Sequence, residues 1–85
     1  MKSVNYVERN RYQDSVTLMQ AAVRLREIEG IADASLMMGS EPNKQILSEA
    51  GLLAGEGRSA GPNDLIMALR GSERGIATAV ERWNS

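Results

Sequence analysis

The chain has 85 residues, 42% of them hydrophobic, and a formal net charge of −1. That length suits one small domain, residues 1–85, with a modest core and a stability low enough to favour self-association or a companion subunit. Cysteine and histidine are both absent, which excludes disulfides, thiolate nucleophiles, zinc–thiolate sites and the commonest general base at neutral pH. No metal and no cofactor is therefore expected. The arginines are scattered among acids, so no nucleic-acid footprint is present. No apolar run approaches the ~20 residues of a membrane span, and the amino terminus lacks a signal-peptide core. A cytoplasmic protein without membrane contact is the expectation.

In chain order, Lys2 to Asn10 reads as a strand with Val4 and Tyr6 on one face and Asn5 and Val7 on the other, polar enough to lie near a sheet edge. Asn10-Arg11 is a turn-prone pair. Asp14 or Ser15 then caps a helix. Leu18, Ala21, Ala22, Leu25 and Ile28 form its apolar stripe, with Met19 and Val23 beside it and Gly30 as its stop. Ala32 to Met38 is a second strand, with Ala34, Leu36 and Met38 opposite Ser35 and Met37. Gly39 ends it, and Pro42 stands where the first turn of a helix tolerates a missing N–H. Ile46, Leu47 and Ala50 give that short helix its stripe, and Gly51 stops it.

Gly51 to Asn63 is glycine-rich and reads as a loop that packs firmly only at Leu52 and Leu53. Asp64 to Arg70 reads as a third strand, and its unbroken apolar run from Leu65 to Leu69 belongs to a strand covered on both faces or to a central strand. Ser72 caps a last helix with Ile76, Ala77, Val80 and Trp83 as its buried face. Arg70 and Arg74 read as solvated.

The order β-α-β-α-β-α fits two sheets. The three strands are parallel with right-handed crossovers, or the third inserts antiparallel between the first two as in ferredoxin-like split βαβ domains. The second is the expected fold class, a small α+β sandwich of three strands and about three helices, because the most apolar strand belongs at the centre. It leaves a sheet edge open to a partner strand. It also makes Gly39-Ser40 and Asn63-Asp64 neighbours, since an antiparallel third strand begins beside the end of the second.

That corner carries the candidate site residues. A helix start exposes unpaired N–H groups that attract anions. Gly39, Ser40, Asn43 and Lys44, with Asn63 and Asp64 across the corner, are candidates for holding a phosphate- or carbamoyl-type anion. A capped helix start with solvated side chains accounts for the same residues, and Asp64 bonding nearby backbone amides in a turn accounts for the second group. Tyr12, Gln13 and Trp83 are interface candidates; Trp83 is either the lid of the core or an exposed docking residue. No base–nucleophile pair stands out, so no catalytic residue is assigned.

Three motifs resemble one family. Tyr12-Gln13-Asp14-Ser15-Val16-Thr17-Leu18-Met19, then Met37-Met38-Gly39-Ser40 with Asn43-Lys44, Leu47 and Gly51, then Gly61-Pro62-Asn63-Asp64-Leu65 are similar to the opening motifs of FdrA proteins, over about Val4 to Ala79. The resemblance implies the amino-terminal domain of proteins related to acyl-CoA synthetases. It also implies oxamate carbamoyltransferase systems of allantoin degradation, in which a carbamoyl group passes between an oxalurate-like amide and phosphate. The matching segment stops short of the CoA-ligase-like part, so the family's catalytic machinery is not carried over. A non-catalytic subunit or domain that docks on larger FdrA-type or carbamoyltransferase subunits is expected. The alternative is a homodimeric ferredoxin-like regulatory module that binds a small metabolite.

Overall fold

The computed structural model describes Met1–Asn84. Three strands, β1 (Lys2–Glu8), β2 (Ile31–Met38) and β3 (Leu65–Gly71), alternate with three helices, α1 (Ser15–Arg26), α2 (Glu41–Glu49) and α3 (Glu73–Asn84). A short 3-10 helix, Gly55–Ser59, precedes β3. The sheet order is β1-β3-β2, and β3 runs antiparallel to both neighbours. This is the split βαβ arrangement of a small α+β ferredoxin-like domain. The pairing of β3 rules out the parallel alternative. Leu65 to Leu69 are all buried, which is why this strand sits in the middle.

Alternation along β3 divides the interior. Leu65, Met67 and Leu69 join Ala34, Leu36, Leu18, Ala22, Leu25, Ile76 and Ala79 under α1 and α3. Ile66 and Ala68 face the other way and meet Leu47, Leu52 and Ala60. The glycine-rich segment therefore packs more firmly than expected: Gly57 and Ala60 are buried along with Leu52.

Several helix faces differ from the sequence reading. Met19 and Val23 point outward, because α1 has a sheet on one side only and Leu18, Ala22 and Leu25 already cover it. On α2 only Leu47 is buried, while Ile46 and Ala50 are exposed at the perimeter. On α3 Ala79 is buried and Ala77 is not; Ile76, Ala79, Val80 and Trp83 follow the i, i+3, i+4, i+7 stripe. Helix α1 ends at Arg26, before its expected stop, and Gly30 takes a φ of 94° in the turn into β2.

The β2 edge of the sheet is blunted rather than open. The Gly39 N–H donates to Asp64 O at 2.8 Å, and antiparallel alternation then turns the backbone of Ala34, Leu36 and Met38 outward on β2. Side chains occupy that edge. Ala34 N–H donates to Asp33 Oδ1 at 2.8 Å, Arg26 Nε donates to Ala34 O at 3.0 Å, and Asn43 Nδ2 donates to Met38 O at 3.0 Å. A register shift between Ile31 and Asp33 bends the same strand. On β1 the Asn5 side chain is buried and bonds the segment that leads into the 3-10 helix.

Candidate functional site

The end of β2 and the start of β3 meet as the antiparallel reading requires, and Asp64 is the hub. Its Oδ1 accepts from Asn10 N–H at 3.0 Å, and its Oδ2 accepts from Gly61 N–H at 2.9 Å and Arg9 Nη1 at 3.1 Å. With its carbonyl bonded to Gly39, this buried residue ties three chain turns together. The backbone N–H groups of Asn10 and Gly61, aided by the Arg9 charge, hold its carboxyl below the usual aspartate range against the opposing effect of burial. Asn10, with φ 53°, takes a left-handed conformation that asparagine tolerates, and so points its N–H at Asp64.

The remaining candidates lie around this hub. A Cβ on Gly39 would come within 2.6 Å of Gly61 O and 2.9 Å of Ala60 Cβ, so glycine lets two chain segments touch there. Ser40 caps α2, its Oγ accepting from Asn43 N–H at a long 3.4 Å. Asn63 is exposed at the tip of the 61–64 turn.

Lys44 is the informative residue. Its side chain is 14% exposed, and its ammonium donates to Ala60 O at 2.8 Å and Arg58 O at 3.3 Å and pairs with Glu41 Oε2 at 2.9 Å. An ammonium has three N–H donors, and three oxygens already surround this one. It clamps the 3-10 segment to α2. Both cations of the corner thus face carboxylates, Lys44 with Glu41 and Arg9 with Asp64.

The interface candidates separate. Tyr12 is exposed and Gln13 half-buried. Trp83 is the lid: it packs against the helix-face core, its Nε1 donates to Glu8 Oε1 at 2.6 Å, and the Arg11 guanidinium stacks 4.9 Å from the ring centroid. Burial pushes the Glu8 carboxyl up, but hydrogen bonds from Arg11 and Trp83 outweigh it and leave the net shift downward.

Sequence reasoning missed three residues. Asn5 is buried, its Nδ2 donating to Leu52 O and its Oδ1 accepting from Ala54 N–H, both at 2.8 Å. Its amide acts as one rung of a missing strand. A Cβ on Gly57 would overlap Asn5 Oδ1, so this contact dictates that glycine. Glu8 anchors the lid. Arg70, read as solvated, donates to Ala50 O at 3.1 Å and Gly51 O at 3.0 Å, closing the carbonyl end of α2. A polar residue within an otherwise strand-like run was the available signal for Asn5; the other two carried none.

A family described as "AllF, heavy metal-associated domain" matches residues 1–85. The chain belongs to this family. It is also 35% identical over 65 residues to "Uncharacterized protein YahF" of Escherichia coli (strain K12), an alignment covering 76% of this chain and 13% of that protein. The chain thus spans a small fraction of its relative's length. No solved structure matches it.

The family description invokes a heavy metal, and the donor set of this AllF-type domain does not suit one. Heavy-metal sites are built chiefly from thiolate and imidazole, and the chain has neither cysteine nor histidine. Among the described residues no three carboxylates gather closely enough to hold an ion. Among the described residues no helix is long and apolar enough to cross a membrane.

Proposed function

We propose that this AllF-type domain is a non-catalytic docking module of an FdrA-type carbamoyltransferase system. Its carrier chemistry lies in larger subunits that pass a carbamoyl group between an oxalurate-like amide and phosphate. One observation carries the reading: the charged residues of the polar corner are engaged in holding loops, with Asp64 accepting from three donors and Lys44 facing three oxygens. Such a corner is rigid and has no free base–nucleophile pair, which suits a part that seats neighbours. The family membership and the allantoin-pathway link in its name support the same context, as does the small share of YahF that the chain spans.

Affinity capture of the tagged chain from its own cells is expected to recover larger carbamoyltransferase-type subunits, and adding the chain to them is expected to raise carbamoyl transfer. The pure chain turning over substrate, or activity of those subunits indifferent to the chain, overturns the reading. The anion role of Gly39, Ser40, Asn43, Lys44, Asn63 and Asp64 is tested alongside. Phosphate raising the Tm of the wild type but not of Lys44→Ala supports it, and no effect on either rejects it.

A metabolite-binding regulatory module is the second reading. It is favoured by a groove of about 390 Å³ between α1 and α3, floored by Ala21, Leu25 and Trp83 and rimmed by Arg24, Glu27 and Arg82. A Tm raised by a small organic acid and not by phosphate selects it.

A further inference from the structure

The groove between α1 and α3 combines an apolar floor with charges that the domain itself leaves unused. The end of α1 forms one wall with Arg24, Leu25 and Glu27, and the last turn of α3 forms the other with Arg82 and Trp83. Ala21 lies between them. The volume of about 390 Å³ falls near the lower end of the ~300–1,000 Å³ usual for small-molecule sites. Leu25 is buried, and Ala21 and Trp83 are half-buried. Trp83 is also held in place, because Glu8 accepts its Nε1–H and Arg11 stacks on its ring. An aromatic wall fixed beforehand spares a ligand the entropy of ordering it.

Two charges of opposite sign stand at the rim without partners. Arg24 and Glu27 are exposed, and among the described residues neither side chain makes a hydrogen bond or an ion pair. They are three positions apart on one helix end, a spacing at which side chains can meet. Nearby Arg11 and Arg26, by contrast, have carboxylate partners in Glu8 and Asp33. Both walls are carbonyl ends of helices, whose partial negative charge favours a cation.

We infer that this groove binds a free α-amino acid with an apolar side chain. The side chain lies on Ala21, Leu25 and Trp83; Arg24 takes the carboxylate, and Glu27 with the helix ends takes the ammonium. Charge selects the class. A plain carboxylate satisfies Arg24 but meets Glu27 and two negative helix ends. A plain amine satisfies Glu27 but meets Arg24 and Arg82. A molecule that carries both charges beside an apolar body suits every group. The inference rests on the regulatory-module reading and names its metabolite.

Trp83 is the chain's single tryptophan, so its emission reports on the groove directly. L-Leucine is expected to shift that emission in a saturable titration and to raise the Tm. The acid that lacks leucine's ammonium and the amine that lacks its carboxylate are expected to bind about fivefold more weakly, the worth of one exposed charge contact. Arg24→Ala and Glu27→Gln, at exposed positions, are each expected to weaken leucine binding by about the same factor, with circular dichroism unchanged. Ala21→Leu, which fills the floor, is expected to abolish it. Either leucine fragment binding as tightly as leucine overturns the amino-acid assignment and leaves the regulatory reading standing. Leucine binding that is indifferent to Arg24→Ala and Ala21→Leu overturns it by placing the ligand elsewhere. No response to leucine or phenylalanine also overturns it; the regulatory reading falls as well only when other small organic acids leave the Tm unchanged.

Discussion

The two faces of the sheet are held by different physics. Beneath α1 and α3, the core runs from Leu18 to Ala79 with large side chains and few polar atoms. Burial of apolar area is its main source of stability. On the other face the core is only five residues, against eleven on the first, and the chain above them is pinned by side chain-to-backbone bonds from Asn5, Lys44, Asp64 and Arg70. The first face tolerates conservative apolar exchange, because packing is non-directional. The second depends on single atoms, because its pins are single side chains bonded to backbone groups of the loops, the most buried of them Asn5 on Leu52 O. The glycine-rich segment is held both by the burial of Leu52 and Ala60 and by the polar side chains that tether its backbone.

Breaking each face in turn sharpens that contrast. Leu69→Ala, at a fully buried site on the helix face, is expected to cost about 3–4 kcal/mol by denaturant unfolding, through lost transfer energy and a cavity. Gly57→Ala is expected to cost about 2–3 kcal/mol, because the new methyl overlaps Asn5 Oδ1. Asn5→Ala is expected to cost about 2 kcal/mol, by orphaning Leu52 O and Ala54 N–H. In a double-mutant cycle these two changes are expected to be less than additive, since removing the amide makes room for the methyl. Additivity would mean that the two residues do not meet.

Lys44→Met is expected to cost about 1 kcal/mol. It should raise amide exchange of the 3-10 segment while leaving exchange in β3 and α3 near wild type. Equal acceleration everywhere would show that Lys44 supports the whole fold rather than one loop.

The smallest effect is a pH dependence. The carboxyls of Asp64 and Asp14 titrate lower in the folded chain than in an unfolded one, through backbone N–H bonds from Asn10 and Gly61 in the first case and from Thr17, with its hydroxyl, in the second. Their stabilisation is complete above the unfolded value of about 3.9 and disappears as pH falls through the folded values. Asp64→Asn should flatten the acid limb of a Tm-against-pH curve; an unchanged limb would remove Asp64 from its cause.

The sequence by itself determined the number, order and type of the main elements and favoured β3 for the centre; the structure chose the antiparallel sheet over the parallel one and so brought Gly39 to Asp64. The elements follow from local patterns: an unbroken apolar run from Leu65 to Leu69, a cap at Asp14 or Ser15 and another at Ser72, and a stop at Gly51, whereas α1 ends at Arg26, short of Gly30. The sequence determined the composition of the corner but not its use. Only the tertiary structure decided that Lys44 clamps the chain at Arg58 and Ala60, that Asn5 stands in for a strand, that Arg70 closes α2, and that Met19 and Val23 face outward while Ala79 faces in. Those outcomes depend on which backbone groups, distant along the chain, are left needing partners once the sheet is packed. Periodicity along the chain holds no record of such long-range pairings.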